Sequence, residues 1–526
     1  MHTCEFLSFF NHGDHNPVDS DRQVLSSEKV HLFFTAIRMA KQKNKKSEKT
    51  ERSSGGGADF SLTALKEKLI SYACRYDFLL LGIILYLAYN FCTGFGWISG
   101  DVFPASILPI ALLKNHNVYF DFVASSISNP DISYAFPFVN GHYVSFFPIV
   151  TPVLVTPVYA ASYILSALAG VTSPNNMYII AKCAASFLAA LAGVLIYLTG
   201  KEIFTRRIAL LTTFIFAFAT STWSISSQAL WQQGTVELLL IALIYLAVKN
   251  ERQSSAAYIF LMGILSALFV FNRPPESILL IPVLVYIVWY QREKIPWYLA
   301  GGVLAGLPFL YYNYSIFGNA FGGYAENLAL FTVNTGFIGH YLGLLFSPNV
   351  GLFVYCPVLL LSIAGMYFVW KGRVSPIRTL VLAAVPAILL DILLYSFFGP
   401  WSSSAEFCYG LRFLTGLVPV LCLFTGFFLD EWFGHGKARH QSQKKPAVIA
   451  LVAALVIVSV GIQFVGTFFY GWSSTSNKSM TDERAWNATD SVIIRSYTEG
   501  SPRIAGIFWF TLPPVPPLVY FPITGG

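Results

Sequence analysis

The sequence predicts an all-α polytopic membrane protein, a bundle of about twelve transmembrane helices. Three observations lead there. Of the 526 residues, 55% are hydrophobic and only 12% are charged, whereas a soluble domain carries about 25% charged residues. Apolar runs approaching the ~20 residues that cross a bilayer recur along the chain. Basic residues gather in alternate connecting segments, the asymmetry expected of a chain threaded repeatedly through a membrane. The net charge of +7 therefore belongs to topology and gives no reason to expect a nucleic-acid partner.

Residues 1–60 are polar and end in "MAKQKNKKSEKTERSSGGGADF", a basic run followed by a Gly/Ser stretch. Such a segment cannot bury a core. It is expected to be a disordered cytoplasmic tail without a signal peptide, and Met39 is an alternative start. The membrane domain is expected over 78–470. Its apolar runs lie near 78–97, 146–170, 177–200, 208–225, 235–249 and 256–271, then near 278–290, 298–317, 352–370, 379–398, 417–433 and 447–470.

Lys201, Arg206 and Arg207 fall in one connection, Lys249 and Arg252 in another, and Arg292 and Lys294 in a third. Lys371, Arg373 and Arg378 follow, then Lys437, Arg439, Lys444 and Lys445. All share the side of the basic N-terminal tail, which places that side in the cytoplasm. The other side receives the first external loop, 98–145, the loops 226–234, 272–277, 319–351 and 399–416, and a C-terminal tail, 471–526. The expected location is the plasma membrane, with that tail external. Its sequons at Asn477 and Asn487 would then permit glycosylation.

Polar chemistry concentrates on this external side. The first external loop opens with Asp101, continues with the apolar "FPASILPIALL" and contains Asp121, Asp131 and His142. Loops beyond about fifteen residues are usually functional or disordered, and the aromatic content of this one argues against disorder. The stretch "PASILPIALLKNH" is expected to form a short juxtamembrane helix along the surface. Its apolar part would cover about 15 Å, half the hydrocarbon thickness. Within the spans, ionisable groups are few: Lys182, Glu237 and Asp391, the last expected to form a hydrogen-bonded link between helices. The seven cysteines form no CxxC pair, which argues against a disulfide framework or zinc site. His142 and His340 lack a ligand partner at helical spacing, so no metal or other cofactor is expected.

An ordered series of segments carries a family resemblance. Gly100-Asp101 follows the first span, and "SFFPIVTPVLVTPVY" opens the second. Then come "WSISSQALWQQGTVELLLIALIYL", "FNRPPESILLIPVLVY", "YYNYSIFGNAFGGYAE", "GLLFSPNVGLFVYCPVLLL" and "WSSSAEFCYGLRFLTGLVPVL". Over roughly residues 78–430 this order resembles the GT-C superfamily of polytopic glycosyltransferases, in its protein O-mannosyltransferase and aminoarabinose-transferase branch. Two departures stand out. Val102 follows Asp101 where many protein mannosyltransferases have a second acid, so a second carboxylate is either distant, Asp121 or Asp131, or absent. Gln233 stands where His is expected.

The resemblance implies a GT-C-like bundle and a hexosyl- or pentosyltransferase. Such an enzyme moves a sugar, with inversion, from a polyprenyl-phosphate donor to an extracytoplasmic glycan, lipid or protein acceptor. Its partners are that donor, the acceptor and membrane lipid. Asp101 becomes the candidate catalytic base. Arg412, then Arg273, are candidates for binding phosphate, to which a guanidinium forms paired charge-assisted bonds. Asp121, His142 and Tyr409 complete the candidate substrate-binding set. The alternative is a multispanning transporter or flippase of a lipid-linked saccharide, which would place a polar site at mid-membrane between repeated halves.

Overall fold

A computed structural model describes residues 76–91, 99–127, 130–168, 177–410, 412–434, 445–470 and 479–500. The chain divides into two units, residues 1–80 and 81–526. The first contributes only Tyr76–Leu80 to the described residues, so the expected tail at 1–60 lies outside them. The sequon at Asn477 also lies outside them.

All twelve apolar runs carry helix. The first is α1, Asp77–Asn90, and the first external loop adds α2, Phe103–Ile110, and a two-stranded hairpin, β1 (Phe138–Val139) and β2 (His142–Tyr143). There follow α3 (Val150–Leu168), α4 (Met177–Ile203), α5 (Arg206–Phe218), α6 (Gln232–Arg252), α7 (Ala256–Asn272), α8 (Ile281–Tyr290) and α9 (Ile295–Phe317). The remaining long elements are α10 (Phe337–Phe346), α11 (Leu360–Lys371), α12 (Pro376–Ser396), α13 (Val418–Phe433) and α14 (Lys445–Phe468), with α15 (Val492–Glu499) near the C-terminus.

Among the described residues, five helices are individually long and apolar enough to cross a membrane: Ile179–Ile203, Gln232–Arg252, Pro376–Ser396, Arg412–Phe433 and Pro446–Phe468. Other runs are built from joined pieces. Pro274 and Pro275 open a 3₁₀ segment that leads into α8, because proline fits a first turn but removes an interior donor. Large apolar side chains face outward, among them Leu168, Trp289, Tyr311 and Ile457, as the surface of an integral membrane protein requires.

Packing follows residue size. A Cβ on Gly263 would fall 2.0 Å from the Tyr298 carbonyl, and one on Gly301 would fall 2.1 Å from the Phe260 carbonyl. These two glycines let α7 and α9 approach backbone to backbone, the contact that small residues allow between membrane helices. At the expected cytoplasmic end, Glu202 binds Lys249 at 2.5 Å and Arg252 at 2.6 Å, tying the α4–α5 connection to the end of α6. Nearer the other end, Thr151 donates to Asn272 Oδ1 at 2.7 Å, and Asn272 Nδ2 donates to the Gln232 carbonyl at 3.0 Å. That chain joins α3, α7 and α6 directly beneath the candidate site.

Every residue of α2 is buried, packed against α3 and α4, so protein covers its apolar faces. Its sequence is apolar all round, and such a helix is buried on every side. Asp391 is also buried, but among the described residues neither carboxylate oxygen has a hydrogen-bond partner. The link expected there is not made.

Candidate active site

A cavity of 820 Å³ is walled by all five inter-span loops expected on the external side. The first loop contributes Asp101 and Tyr134; the others supply Trp231 and Gln232, then Arg273, then Tyr324 and Glu326, then Glu406 and Arg412. Loops separated along the sequence thus meet at one end of the bundle.

Asp101 lies in a short 3₁₀ turn, Gly100–Val102, capped by the Ser99 hydroxyl. Arg412 Nη1 donates to Asp101 Oδ2 at 2.5 Å, and the Tyr134 hydroxyl donates to Oδ1 at 2.6 Å. Burial of its hydroxyl end, then the adjacent Asp101 charge, push the Tyr134 phenol well above its ordinary range, so it stays a proton donor to the carboxylate. Gly100 serves this contact: a Cβ there would lie 2.7 Å from the Tyr134 hydroxyl.

Arg412 is 7% exposed and opens the 3₁₀ segment that leads into α13. Its guanidinium carbon lies 4.5 Å from the Trp231 ring centre and 5.1 Å from that of Phe413. Among the described residues its Nε has no hydrogen-bond partner, nor have Trp231 Nε1 and Gln232 Nε2. Trp231 is the N-cap of α6 and provides no side-chain cap. The positive end of that helix dipole therefore lies at the cavity wall.

Arg273 also lines the cavity, but it is bound on all sides. It pairs with Glu276 at i+3, donates to the Tyr395 hydroxyl at 2.8 Å and to Gln232 Oε1 at 3.2 Å, and can reach Gln233 Oε1 at 3.1 Å. The other candidates lie apart from the lining. Asp121, in the 3₁₀ turn Asp121–Val123, pairs with His142 of the hairpin at 2.6 Å. Tyr409 is buried and donates to the Ile462 carbonyl at 2.8 Å. Gly410, with φ of +74°, makes room for the Tyr355 ring. The side chain of Asp131 lies outside the described residues. Among those residues, no group of three or more His, Cys, Asp or Glu side chains could hold a metal ion.

Sequence reasoning missed Tyr134, Trp231 and Gln232 as wall residues, and it missed the docking of residues 479–500. Asn349 is fully buried and donates to the Arg484 carbonyl at 2.9 Å while accepting from Val492 N–H at 3.0 Å. Trp401 Nε1 donates to Asp482 at 2.7 Å, and the Met480 N–H donates to Glu406, a cavity residue.

No family model matches the sequence, and no curated protein matches it. Among solved structures it is similar to the Archaeoglobus fulgidus oligosaccharyltransferase tethered with an acceptor peptide. Identity is 14% and the TM-score 0.41, covering 75% of this chain and 56% of that one. The apo form of the same enzyme gives 12% identity and a TM-score of 0.43, over 81% and 64%. ArnT from Cupriavidus metallidurans bound to undecaprenyl phosphate gives 12% and 0.43, over 81% and 75%. The chain thus spans little more than half the length of the first structure.

Proposed function

We propose that this protein is a membrane glycosyltransferase that moves a sugar, with inversion, from a polyprenyl-phosphate carrier to an acceptor hydroxyl on the external side of the membrane. The observation that carries the reading is the direct Asp101–Arg412 pair in the wall of the cavity. Transfer needs a base for the acceptor proton and a cation for the departing phosphate, and this pair supplies both within one contact.

The acceptor oxygen attacks the anomeric carbon, the bond from that carbon to the phosphate oxygen breaks, and the electron pair leaves with the phosphate. Asp101 takes the acceptor proton. Arg412 then faces a neutral acid and a more highly charged phosphate, so its charge is matched before and after the step. The α6 N-terminus adds positive potential where an anion would sit. Nearby N–H groups lacking partners favour an oxygen-rich ligand, because unpaired buried donors are costly. The walls formed by the first loop also favour an enzyme over a transporter, whose polar cavity would lie between repeated halves.

The test uses purified full-length protein with a panel of polyprenyl-phosphate sugars and a panel of hydroxyl-bearing acceptors (glycosides, lipids and peptides), following release of polyprenyl phosphate. Release that depends on Asp101 is expected with at least one donor. Binding of a lipid-linked saccharide and its passage across a sealed bilayer, with no release, would overturn the reading in favour of transport.

A further inference from the structure

The hairpin that lends Val139 to the cavity wall carries side chains that the donor chemistry leaves unused. Asn140 and Gly141 have φ values of 52° and 88°, as in the mirror-image turn favoured by two-residue hairpins. The turn sets the register, with Val139 opposite His142. Directly opposed residues project from the same face of an antiparallel pair. Val139 lines the cavity, and His142, outside the lining itself, shares its face of the hairpin.

The neighbouring chain fixes the imidazole. Phe120 N–H donates to the Tyr143 carbonyl at 2.9 Å, and Tyr143 N–H donates to Asp121 Oδ1 at 2.9 Å. Asp121 Oδ2 is thereby held 2.6 Å from His142 Nδ1. An ionised carboxylate only accepts, so Nδ1 carries a proton and the neutral ring offers the Nε2 lone pair. The Tyr119 ring stacks on the imidazole, with centres 4.0 Å apart and planes 14° apart. The His142 and Asp121 side chains remain 44% and 46% exposed. Exposed ion pairs add little stability, and backbone bonds already hold the hairpin, so a purely structural role leaves this arrangement without a purpose.

We infer that His142, oriented by Asp121 and stacked on Tyr119, is the hydroxyl-recognising subsite for a saccharide acceptor. The inference rests on the glycosyl-transfer reading. A sugar ring presents hydroxyl groups around an apolar C–H face. Nε2 accepts from one hydroxyl while the stacked rings offer flat apolar surface, which leaves the acceptor's other hydroxyls for the cavity that Val139 and Asp101 line. His142 binds and orients; the transferred proton goes to Asp101.

The test measures binding of methyl glycosides, from mono- to trisaccharide, to full-length protein in lipid nanodiscs by saturation-transfer NMR. Undecaprenyl phosphate binding is measured on the same samples. The wild type is expected to bind at least one glycoside. His142→Phe retains a flat ring but loses the lone pair, and should weaken that binding by about tenfold. Asp121→Asn should weaken it similarly by releasing the tautomer, whereas His142→Gln should recover part of it. Equal glycoside binding by wild type and His142→Phe, or none by the wild type, would overturn the subsite. Loss of undecaprenyl phosphate binding by the wild type would instead count against the donor reading, so the two failures are distinguishable.

Discussion

Arg412 and Arg273 line the same cavity, yet their surroundings differ in kind. Arg273 is paired with Glu276, which is completely buried, and its other donors go to Tyr395 and Gln232. Arg412 has a partner, Asp101, with 22% side-chain exposure, and it keeps an Nε donor with no partner between aromatic faces. The difference separates structure from chemistry. A cation whose donors are all satisfied by buried groups cannot turn to a ligand without leaving an uncompensated charge. A cation whose counter-charge borders the cavity can be shared with an incoming phosphate. Charge alone, read from the sequence, could not rank the two.

The comparison breaks most visibly in turnover. Asp101→Asn retains size and hydrogen bonding but removes the base, and should lower turnover by ~10²–10⁴-fold in a donor-consumption assay. The folded yield should stay near that of the wild type. Glu276→Ala should do the reverse, stranding Arg273 and costing about 3–5 kcal/mol of stability, read as a lower melting temperature in detergent. A fully folded, fully stable Glu276→Ala protein would erase the distinction between the two arginines. Arg412→Lys keeps the charge but loses the planar fork, and should weaken donor binding by about 1–3 kcal/mol with little change in melting temperature.

The smallest expected effect lies in the docked C-terminal segment. Burial raises the Asp490 carboxyl, but hydrogen bonds from Arg484 and Arg495 outweigh it and leave the pKa below the ordinary value. A depressed folded pKa contributes stability above the unfolded value of about 3.9, and that contribution is lost as pH falls through the folded value. Proteolysis near residues 479–500 should therefore increase only below about pH 4. The same onset in Asp490→Asn would show that another group controls it.

The long helices were legible because their apolar runs are long and their flanking charges alternate. Asp101, Arg273 and Arg412 were legible as residue types in an ordered series. The joining of Asp101 to Arg412 was not, since 311 positions separate them and no local pattern encodes the contact. Tyr134 was lost among the many aromatic residues of its loop. The hairpin did have a local signal, Asn140-Gly141 between apolar residues, and its turn chemistry would have placed His142 beside Val139. Docking of the tail onto Asn349 and Trp401 depends on contacts across much of the chain, and its polar sequence gave no sign of it. Asp391 shows the converse: its sequence position suggested a hydrogen-bonded link, but placement among apolar helices leaves both oxygens without one.

In the proposed reaction Arg412, and not Arg273, receives the donor phosphate while Asp101 acts as its resting counter-charge. Equilibrium binding of undecaprenyl phosphate to the full-length wild type, Arg412→Ala and Asp101→Asn separates the two arginines. A loss of about tenfold or more is expected for Arg412→Ala, and equal or tighter binding for Asp101→Asn, whose arginine has lost its competing anion. Wild-type affinity in Arg412→Ala, or a comparable loss in Asp101→Asn, would contradict that assignment.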